Sequence, residues 1–276
     1  YEERQKISGL SSERADIIIA GALVIQEILR KAKASYLTIS GCGLREGLFF
    51  HYYDPIYDKN GDKQHDMLRC SVQNYLDTLP ITYDFHTKYV TATALAMFDQ
   101  WQKVHKLDPR MRDILAAAAR LHDIGNLINY YSHARHSCYM TANAHIFGWT
   151  HSEQVMCALI CAFHHGYSGK YLKANGQAHI LTAAQMRQVR ILSLFLAMAE
   201  GLDESQEHCI TRVICTSYKA AMDLRVYTDR ENFDVPAHAT ASLVKDFEKT
   251  FHLPFRIQWF PGSSHRNELV EAAQKL

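Results

Sequence analysis

The sequence has no apolar run that approaches the roughly 20 residues of a membrane-spanning helix. Its 30 basic and 29 acidic residues leave a net charge of +1, so no excess of charge favours nucleic acid or an anionic membrane as a partner. The seven cysteines show no CxxC spacing, which is typical of reduced thiols. The first residues lack the basic-then-apolar order of a signal peptide. These absences argue against membrane-spanning and disulfide-rich secreted proteins, and they predict a cytoplasmic protein that does not read nucleic-acid sequence.

What the chain has instead is an ordinary globular composition and a concentration of histidine. Its 276 residues are 47% hydrophobic and 21% charged, and this length predicts about two domains. There are 16 histidines, and seven of them lie between His122 and His165. This histidine-rich stretch is where we expect a functional site.

The first 51 residues predict part of an α/β layer. Ser11 and Ser12 precede an apolar stretch from Ile17 to Leu29, which predicts a helix with a serine cap. Residues 36–40 predict a strand that runs into a glycine-rich turn at 41–47. Because so short a segment cannot close a layer alone, we expect it to be the end of a larger domain.

From residue 80 to residue 218 the pattern is helical almost throughout. Pro109 follows Asp108 at one helix start, and Thr150–Glu153 and Thr182–Gln185 are capping boxes at two others. The predicted helices cover about 84–105, 108–125, 134–145, 150–166 and 182–201. This succession predicts an all-helical middle of the chain.

After residue 221 the sequence pattern is no longer helical throughout. Residues 224–227 and 255–259 predict strands, and a helix is predicted between them at about 239–250. The order of these elements predicts a small β-α-β tail.

The dipeptide His122–Asp123, followed by Gly125, is the sharpest signal in the sequence. An imidazole and a carboxylate from adjacent positions at a helix end can bind one cation together. The alanine-rich turn before His122 predicts that this ring is buried and needs a polar partner. A hydrogen-bonded pair in the core satisfies the same pattern, so both interpretations stay open.

Further candidate ligands lie at helix ends, and each has a hydrogen-bonded core side chain as its alternative interpretation. A carboxylate such as Glu200 at a helix C-terminus opposes the helix dipole and therefore favours a nearby cation. Mixed nitrogen and oxygen ligands suit Fe, Mn, Zn or Mg, in one- or two-metal form. With His122 and Asp123, the candidate metal ligands are His86, His136, His164 and Glu200.

The remaining histidines carry no such expectation. Solvent-facing or supporting positions are predicted for four of them, His133, His145, His151 and His165. Surface positions are predicted for the others, which are His51, His65, His105, His179, His208, His238, His252 and His265.

At both ends the chain resembles known proteins. His86, Leu121–Gly125, His136, Phe163–His165 and Leu196–Asp203 resemble the motifs of an HD-type metal-dependent phosphohydrolase domain. The stretches 12–22 and 40–47 are similar to the closing motifs of the exopolyphosphatase/guanosine pentaphosphate phosphatase (Ppx/GppA) family. In this order and at this distance, the motifs identify the chain as resembling the C-terminal portion of that family.

The resemblance implies a phosphoanhydride hydrolase. It would release terminal phosphate from inorganic polyphosphate or guanosine pentaphosphate, usually with Mg²⁺, and the main catalytic residues are expected upstream of this chain. The implied fold is mainly helical, with an HD-like bundle, and a homodimer is expected. The implied regions are 1–51, the α/β tail of an actin/sugar-kinase-like domain; 52–79, a linker; 80–222, the HD-like helical domain; and 223–276, the β-α-β tail.

Two details refine this expectation. Gly41 and Gly43 allow a close backbone approach to an anion, and Arg45 can pair with a phosphate, although the same residues also suit a plain turn. HD enzymes usually place an aspartate where this chain has Glu200, whose longer side chain changes the geometry of coordination.

Three functions are compatible with these residues. In the first, the chain is part of an exopolyphosphatase-like enzyme, and its HD-like domain forms a polyanion channel and the dimer contact. In the second, the HD-like domain is a metal-dependent hydrolase in its own right. In the third, it is a non-catalytic module that binds polyphosphate or a nucleotide, or that dimerises.

Overall fold

The computed structural model describes residues 1–7, 9–57, 67–81, 85–218, 221–262 and 267–276. The predicted positions of His65 and His265, and the predicted helix start at residue 84, lie outside these ranges. The chain divides into two compact units, residues 1–64 and residues 65–276. Within the described ranges, no helix is both long enough and apolar enough to cross a membrane.

The described part of the unit of residues 1–64 consists of helices joined by turns and irregular segments. Its helices are α1 (Glu2–Gln5), α2 (Ile18–Ala32) and α3 (Leu44–Tyr57). The predicted apolar helix is confirmed as α2, but it begins after Ile17 and no side chain caps it. The apolar side chains of α2 remain in solvent, and Leu23, Val24 and Ile28 are each more than half exposed.

The predicted strand at residues 36–40 is wrong. These residues form no strand, and Tyr36 and Ile39 are more than four-fifths exposed. A strand forms only against a second strand, and the described residues of this unit contain none. The α/β character predicted for residues 1–51 is therefore replaced by helices.

The unit of residues 65–276 contains the helical bundle and a small sheet. Its helices are α4 (Met67–Asp77), α5 (Phe85–Gln100), α6 (Gln102–His105), α7 (Arg110–Leu121), α8 (His133–Asn143), α9 (His151–Ala162), α10 (Gly169–Ala174), α11 (Ala183–Leu202), α12 (Asp234–Ala241), α13 (Val244–Phe251) and α14 (Glu268–Gln274). Short 3₁₀ turns lie at Ile124–Leu127 and Ala178–Ile180.

The stretch predicted as a linker is helical in both of its described parts. Residues 52–57 complete α3, and residues 67–77 form α4. Leu68, Val72 and Leu76, spaced four residues apart along α4, are buried. This apolar spacing is that of an amphipathic helix.

The two predicted capping boxes are confirmed, at the starts of α9 and α11. Thr150 accepts a hydrogen bond from the Glu153 backbone N–H, and the Glu153 side chain accepts one from the Thr150 backbone N–H. Thr182 and Gln185 make the same reciprocal pair at the start of α11. These pairs satisfy N–H groups that have no partner inside a helix.

The sheet contains β1 (Ile210–Tyr218), β2 (Ala221–Thr228) and β3 (Phe255–Phe260) in that order. The last two strands are parallel and α12 and α13 lie between them in the chain, so the predicted β-α-β element is confirmed. The strand β1 pairs antiparallel with β2 and was not predicted, because residues 210–218 were assigned to the helical region. Its alternating burial and β-branched residues are nevertheless typical of a strand.

Helix α11 is the centre of the bundle. It packs against α5, α7 and α9, and also against α12 and α13. From Ile191 to Leu202 its residues are all buried. Phe195 stacks on Trp101 with ring centroids 5.8 Å apart, which ties α11 to the helices that precede the histidine-rich stretch.

His105 is a buried neutral imidazole, not the surface residue that was predicted. Its Nε2–H donates to the Phe98 carbonyl, and its Nδ1 accepts from the Leu107 N–H. Burial lowers the pKa of His105, and this outweighs the opposite effects of the Phe98 carbonyl and Asp99. The unfolded chain therefore takes up a proton at His105 more readily than the folded chain. The free energy of unfolding consequently decreases as the pH is lowered.

We expect the His105→Gln variant to lose less stability than the native chain between pH 7.5 and pH 5.5. Glutamine keeps a donor for the Phe98 carbonyl but has no proton to gain in this window. Urea unfolding at both pH values measures the difference, and His252→Gln, at an exposed helix end, is the control. Equal pH dependence in the native chain and His105→Gln would contradict the assignment.

Candidate metal centre

The histidine-rich site lies where five helix ends meet. His122 and Asp123 directly follow α7, His164 and His165 follow α9, and Glu200 is in the last turn of α11. The starts of two other helices complete the site, with His86 on α5 and His133 on α8. Helix ends bring these side chains together although they are far apart in the sequence.

Two groups of potential ligands can be distinguished. The inner group is His86, His122 and Glu200, and all three residues are buried. The outer group is His133, His164 and His165, which ranges from the buried His164 to the exposed His165. Within each group, the potential ligand atoms lie within 4.8 Å of one another.

Asp123 lies between the two groups. Its Oδ1 is 3.8 Å from Nε2 of His122 in the inner group. The same oxygen is 3.3 Å from Nε2 of His133 and 3.9 Å from Nε2 of His164 in the outer group. One carboxylate oxygen therefore faces both sets of imidazoles.

Three of these histidines are held in one tautomer by the backbone. The Nδ1–H groups of His122, His133 and His164 each donate to the carbonyl three residues earlier, at 2.8, 3.0 and 2.6 Å. In a neutral imidazole this leaves the lone pair on Nε2. All three Nε2 atoms face Asp123 Oδ1, so the nitrogen lone pairs converge on a carboxylate oxygen.

This arrangement of acceptors fits a cation. Nε2 of His133 lies 3.0 Å from Nε2 of His164. Nε2 of the fully buried His122 makes no hydrogen bond within the described residues, and Glu200 Oε2 lies 3.0 Å away. Lone pairs that face one another at such distances repel unless a proton or a cation lies between them. Imidazole nitrogen with carboxylate oxygen is a donor set for Zn, Fe or Mn, so the residues present fit such an ion.

Charges within the inner group support the same conclusion. Burial lowers the pKa of His86, but Asp203 and Glu200 outweigh it and raise that pKa to about 10. Burial likewise lowers the pKa of His122, but Asp123 and Glu200 raise it to about 9. Burial raises the pKa of Glu200, whereas the two imidazoles hold it well below its usual range. The site thus selects positive charge at its centre.

In the outer group the balance is opposite. Burial lowers the pKa of His164 well below its ordinary value, and the neighbouring His122 and His165 lower it further. Burial also lowers the pKa of His165. Neutral imidazole is the form that binds a metal ion.

Two residues that were not predicted support the inner group. Asp203 Oδ2 accepts a hydrogen bond from His86 Nδ1 at 2.7 Å and one from His208 Nδ1 at 2.9 Å. Asp203 is almost fully buried, so its carboxylate fixes the orientation of the His86 ring. His208 was predicted at the surface without a partner, and this part of the prediction is wrong.

Of the six predicted ligands, the structure brings together His86, His122, Asp123, His164 and Glu200. His136 lies on α8 one turn after His133, in neither group, and His133 is the α8 residue that faces Asp123. A helix starting at residue 133 places 133 and 136 on neighbouring turns, so the spacing alone does not show which of them points inward. The ligand roles of all these residues stay predictions.

A close approach between backbones at Gly125 sets the position of His133. A methyl group at Gly125 would overlap the His133 carbonyl oxygen and lie 2.5 Å from the Ser137 nitrogen. The Gly125 N–H donates to the Ser137 hydroxyl at 2.8 Å. Glycine is therefore required by the packing of α8 onto the turn after His122, and not to end α7, which already ends at Leu121.

The predicted phosphate-binding turn lies in the other unit. Gly41 and Gly43 precede α3, and Arg45 is in its first turn. The Cys42 N–H donates to the Ser40 hydroxyl, and a methyl group at Gly43 would lie 2.8 Å from a carboxylate oxygen of Glu46. The turn thus has a carboxylate beside it, and its phosphate-binding role stays a prediction.

Comparison with known proteins extends over almost the whole chain. The family model described as Ppx/GppA phosphatase, domain III, matches residues 70–247, and the model of the Ppx/GppA phosphatase family matches residues 1–56. The chain belongs to the Ppx/GppA phosphatase family. The histidine-rich site lies within the part that matches domain III.

Two curated relatives are named guanosine-5′-triphosphate,3′-diphosphate pyrophosphatase. The protein of Aeromonas salmonicida is 28% identical over 199 residues, which are 71% of this chain and 38% of the relative. The protein of Photobacterium profundum is 23% identical over 203 residues, 73% of this chain and 38% of the relative. The chain therefore spans under half the length of these Ppx/GppA relatives.

Proposed function

We propose that the histidine-rich site is a divalent-metal centre that hydrolyses phosphate esters or anhydrides. The observation that carries this proposal is the convergence of the Nε2 atoms of His122, His133 and His164 on one oxygen of Asp123. Residues 80–222 would then form an HD-type phosphohydrolase domain within this Ppx/GppA chain. Fe, Mn or Zn suits the nitrogen-rich ligand set, and Mg²⁺ suits oxygen ligands better.

Each of the two groups would hold a cation with its own side chains. His86, His122 and Glu200 would hold a cation in the buried inner group, and His133, His164 and His165 would hold one on the outer side. A cation bound here polarises a phosphoryl oxygen and lowers the pKa of bound water. Asp203 orients the His86 ring, and the carbonyl of Ala119 does the same for His122.

Access favours approach of the substrate from the outer group. The inner residues are almost fully buried, whereas His165 is exposed. A phosphate that reaches His133 and His165 would therefore come from solvent without any rearrangement of the core.

A second candidate function comes from the relatives. In it, the chain is the C-terminal part of a longer phosphatase that acts on guanosine pentaphosphate or polyphosphate with Mg²⁺, and it contributes a polyanion channel and the contact of a homodimer. The names of the relatives and the match at residues 1–56 support this candidate. It needs no chemistry at the histidine-rich site, so it can be separated from the first candidate.

Metal content of protein purified without chelator tests the first proposal. We expect near-stoichiometric Fe, Mn or Zn, and release of phosphate from p-nitrophenyl phosphate. Both should be lost in the variant His122→Ala/Asp123→Ala, because it removes a buried imidazole and the oxygen shared by both groups. The control is His151→Ala, which removes an exposed histidine at the start of α9.

A native chain that folds normally, contains no transition metal and gains none from solution would overturn the first proposal. Circular dichroism and thermal unfolding show whether each variant is folded. Loss of metal in the His151→Ala variant as well would mean that the metal is bound elsewhere.

A further inference from the structure

The segment 127–131, between the 3₁₀ turn and α8, presents an unusual surface beside the outer group. Tyr130 is 74% exposed and Tyr131 is 81% exposed, and the preceding Ile128 is 54% exposed. Single exposed apolar residues are ordinary, but a contiguous exposed apolar patch rimmed by polar residues marks an interaction or ligand-binding site. Packing within the described residues does not account for these rings.

Hydrogen bonds hold the segment in one conformation. The Asn129 N–H donates to the Gly125 carbonyl at 3.2 Å, and the Tyr131 N–H donates to the Asn129 side-chain oxygen at 2.8 Å. The Tyr130 carbonyl accepts the hydrogen bond from His133 Nδ1 at 3.0 Å. The backbone that carries the two tyrosines is thus the same backbone that fixes the tautomer of His133.

The two rings form a corner next to that histidine. The ring centroids of Tyr130 and Tyr131 lie 5.9 Å apart at an interplanar angle of 76°. The Tyr130 ring lies 5.9 Å from the His133 ring at 32°. A flat group stacked on one tyrosine would meet the edge of the other, and it would lie one ring away from His133.

We infer that Tyr130 and Tyr131 bind the base of a nucleotide whose phosphate lies at the outer group. Stacking on tyrosine accepts every base, because each base has a π face. The ribose would span the distance between the tyrosine corner and His133. Inorganic polyphosphate has no ring and gains nothing from this corner, so the two tyrosines would favour a nucleotide over polyphosphate at the outer group. This inference rests on the proposed function of the histidine-rich site.

Comparison of two ligands that differ only in the base tests the inference. Guanosine 5′-monophosphate and ribose 5-phosphate share the sugar and the phosphate. Calorimetric titration of the metal-loaded chain should show at least about fivefold tighter binding of the nucleotide, because stacking on an aromatic side chain contributes at least this much per base. In Tyr130→Ala the two ligands should bind almost equally, and Tyr130→Phe should keep the preference.

The matched control is Tyr218→Ala. Tyr218 is 62% exposed and ends β1, eight residues beyond Ile210 and roughly 26 Å along the strand, so its removal should leave both affinities unchanged. Equal affinity of the native chain for both ligands would overturn the inference. An equal loss of affinity for both ligands in Tyr130→Ala would also overturn it. If Tyr130→Ala kept its preference for the nucleotide but a dimer dissociated, the tyrosines would belong to a protein contact and the inference would be wrong.

Failure of this inference can be told apart from failure of the proposed function. If the metal centre exists without base recognition, the native chain will bind metal and hydrolyse p-nitrophenyl phosphate but show no preference between the two ligands. If the proposed function fails, metal and hydrolysis will be absent whatever Tyr130→Ala does to nucleotide binding.

Discussion

Replacing Glu200 by alanine is expected to remove the metal and to destabilise the metal-free protein by about 3–5 kcal/mol. Its Oε2 lies 3.1 Å from Nε2 of His86 and 3.0 Å from Nε2 of His122, and it is their shared buried carboxylate. Without it, two buried imidazoles lose one of the two carboxylates that raise their pKa values, Asp203 and Glu200 for His86 and Asp123 and Glu200 for His122. Metal analysis and urea unfolding in chelator measure the two effects.

The variant Glu200→Gln separates charge from volume. Glutamine keeps the shape and can donate a hydrogen bond to one imidazole nitrogen, so part of the stability should return. Metal should not return, because a neutral amide is a poorer ligand than a carboxylate. Glu207→Ala, an exposed residue beyond α11, should change neither quantity. Full metal content in Glu200→Ala would exclude Glu200 as a ligand.

The variant Gly125→Ala is expected to destabilise the unit of residues 65–276 strongly. The new Cβ would overlap the His133 carbonyl oxygen, lie 2.5 Å from the Ser137 nitrogen and lie 2.8 Å from the His136 Cβ. Two of these contacts are with backbone, so α8 must move as a whole. We expect a loss of about 3 kcal/mol or more in the free energy of unfolding.

Displacement of α8 also moves His133, so Gly125→Ala should weaken metal binding even under conditions where the variant is folded. Gly169→Ala is the matched control, because nothing lies within 4 Å of a methyl group there and its backbone suits alanine. That variant should stay within about 0.5 kcal/mol of the native chain. Native-like stability of Gly125→Ala would mean that α8 is not packed against this turn.

Elements with strong local signals could be predicted from the sequence. The reciprocal caps at Thr150 and Thr182 are made within four residues, so tertiary structure is not needed to find them. The helices that these caps begin, and the β-α-β order of the last part of the chain, follow from periodicity and the order of elements. The sequence predicted one helix between the two strands, whereas the structure has α12 and α13 there.

Elements that depend on partners could not be predicted in the same way. Residues 36–40 have the composition of a strand, but the described residues of their unit include no strand to pair with them. The strand β1, in contrast, is defined by its pairing with β2. Helix α4 was missed for a related reason. Its apolar residues are spaced as in an amphipathic helix, but they lie in a stretch that was predicted to be a linker.

The candidate site shows the same division. His122 and Glu200 could be placed near helix ends from the sequence, although α7 ends at Leu121 and not at the predicted Gly125. The choice between His133 and His136 was not, because it depends on how Gly125 and Ser137 dock α8. Asp203 meets His86 across the fold although the two are 117 residues apart in the sequence, whereas His208 lies only five residues after Asp203. The sequence does not indicate which partner the Asp203 carboxylate has.

The position of Asp123 makes the two ligand groups thermodynamically linked on the proposed function. Oδ1 of Asp123 lies within 4 Å of a nitrogen atom from each group, so a cation bound in either group would coordinate the same carboxylate oxygen. A cation bound in the inner group would change the affinity of the outer group for its own cation by some factor. Occupancy of the outer group must then change the affinity of the inner group by the same factor. A substrate phosphate that favours a filled outer group thereby tightens or loosens a cation buried deep in the bundle, without touching it.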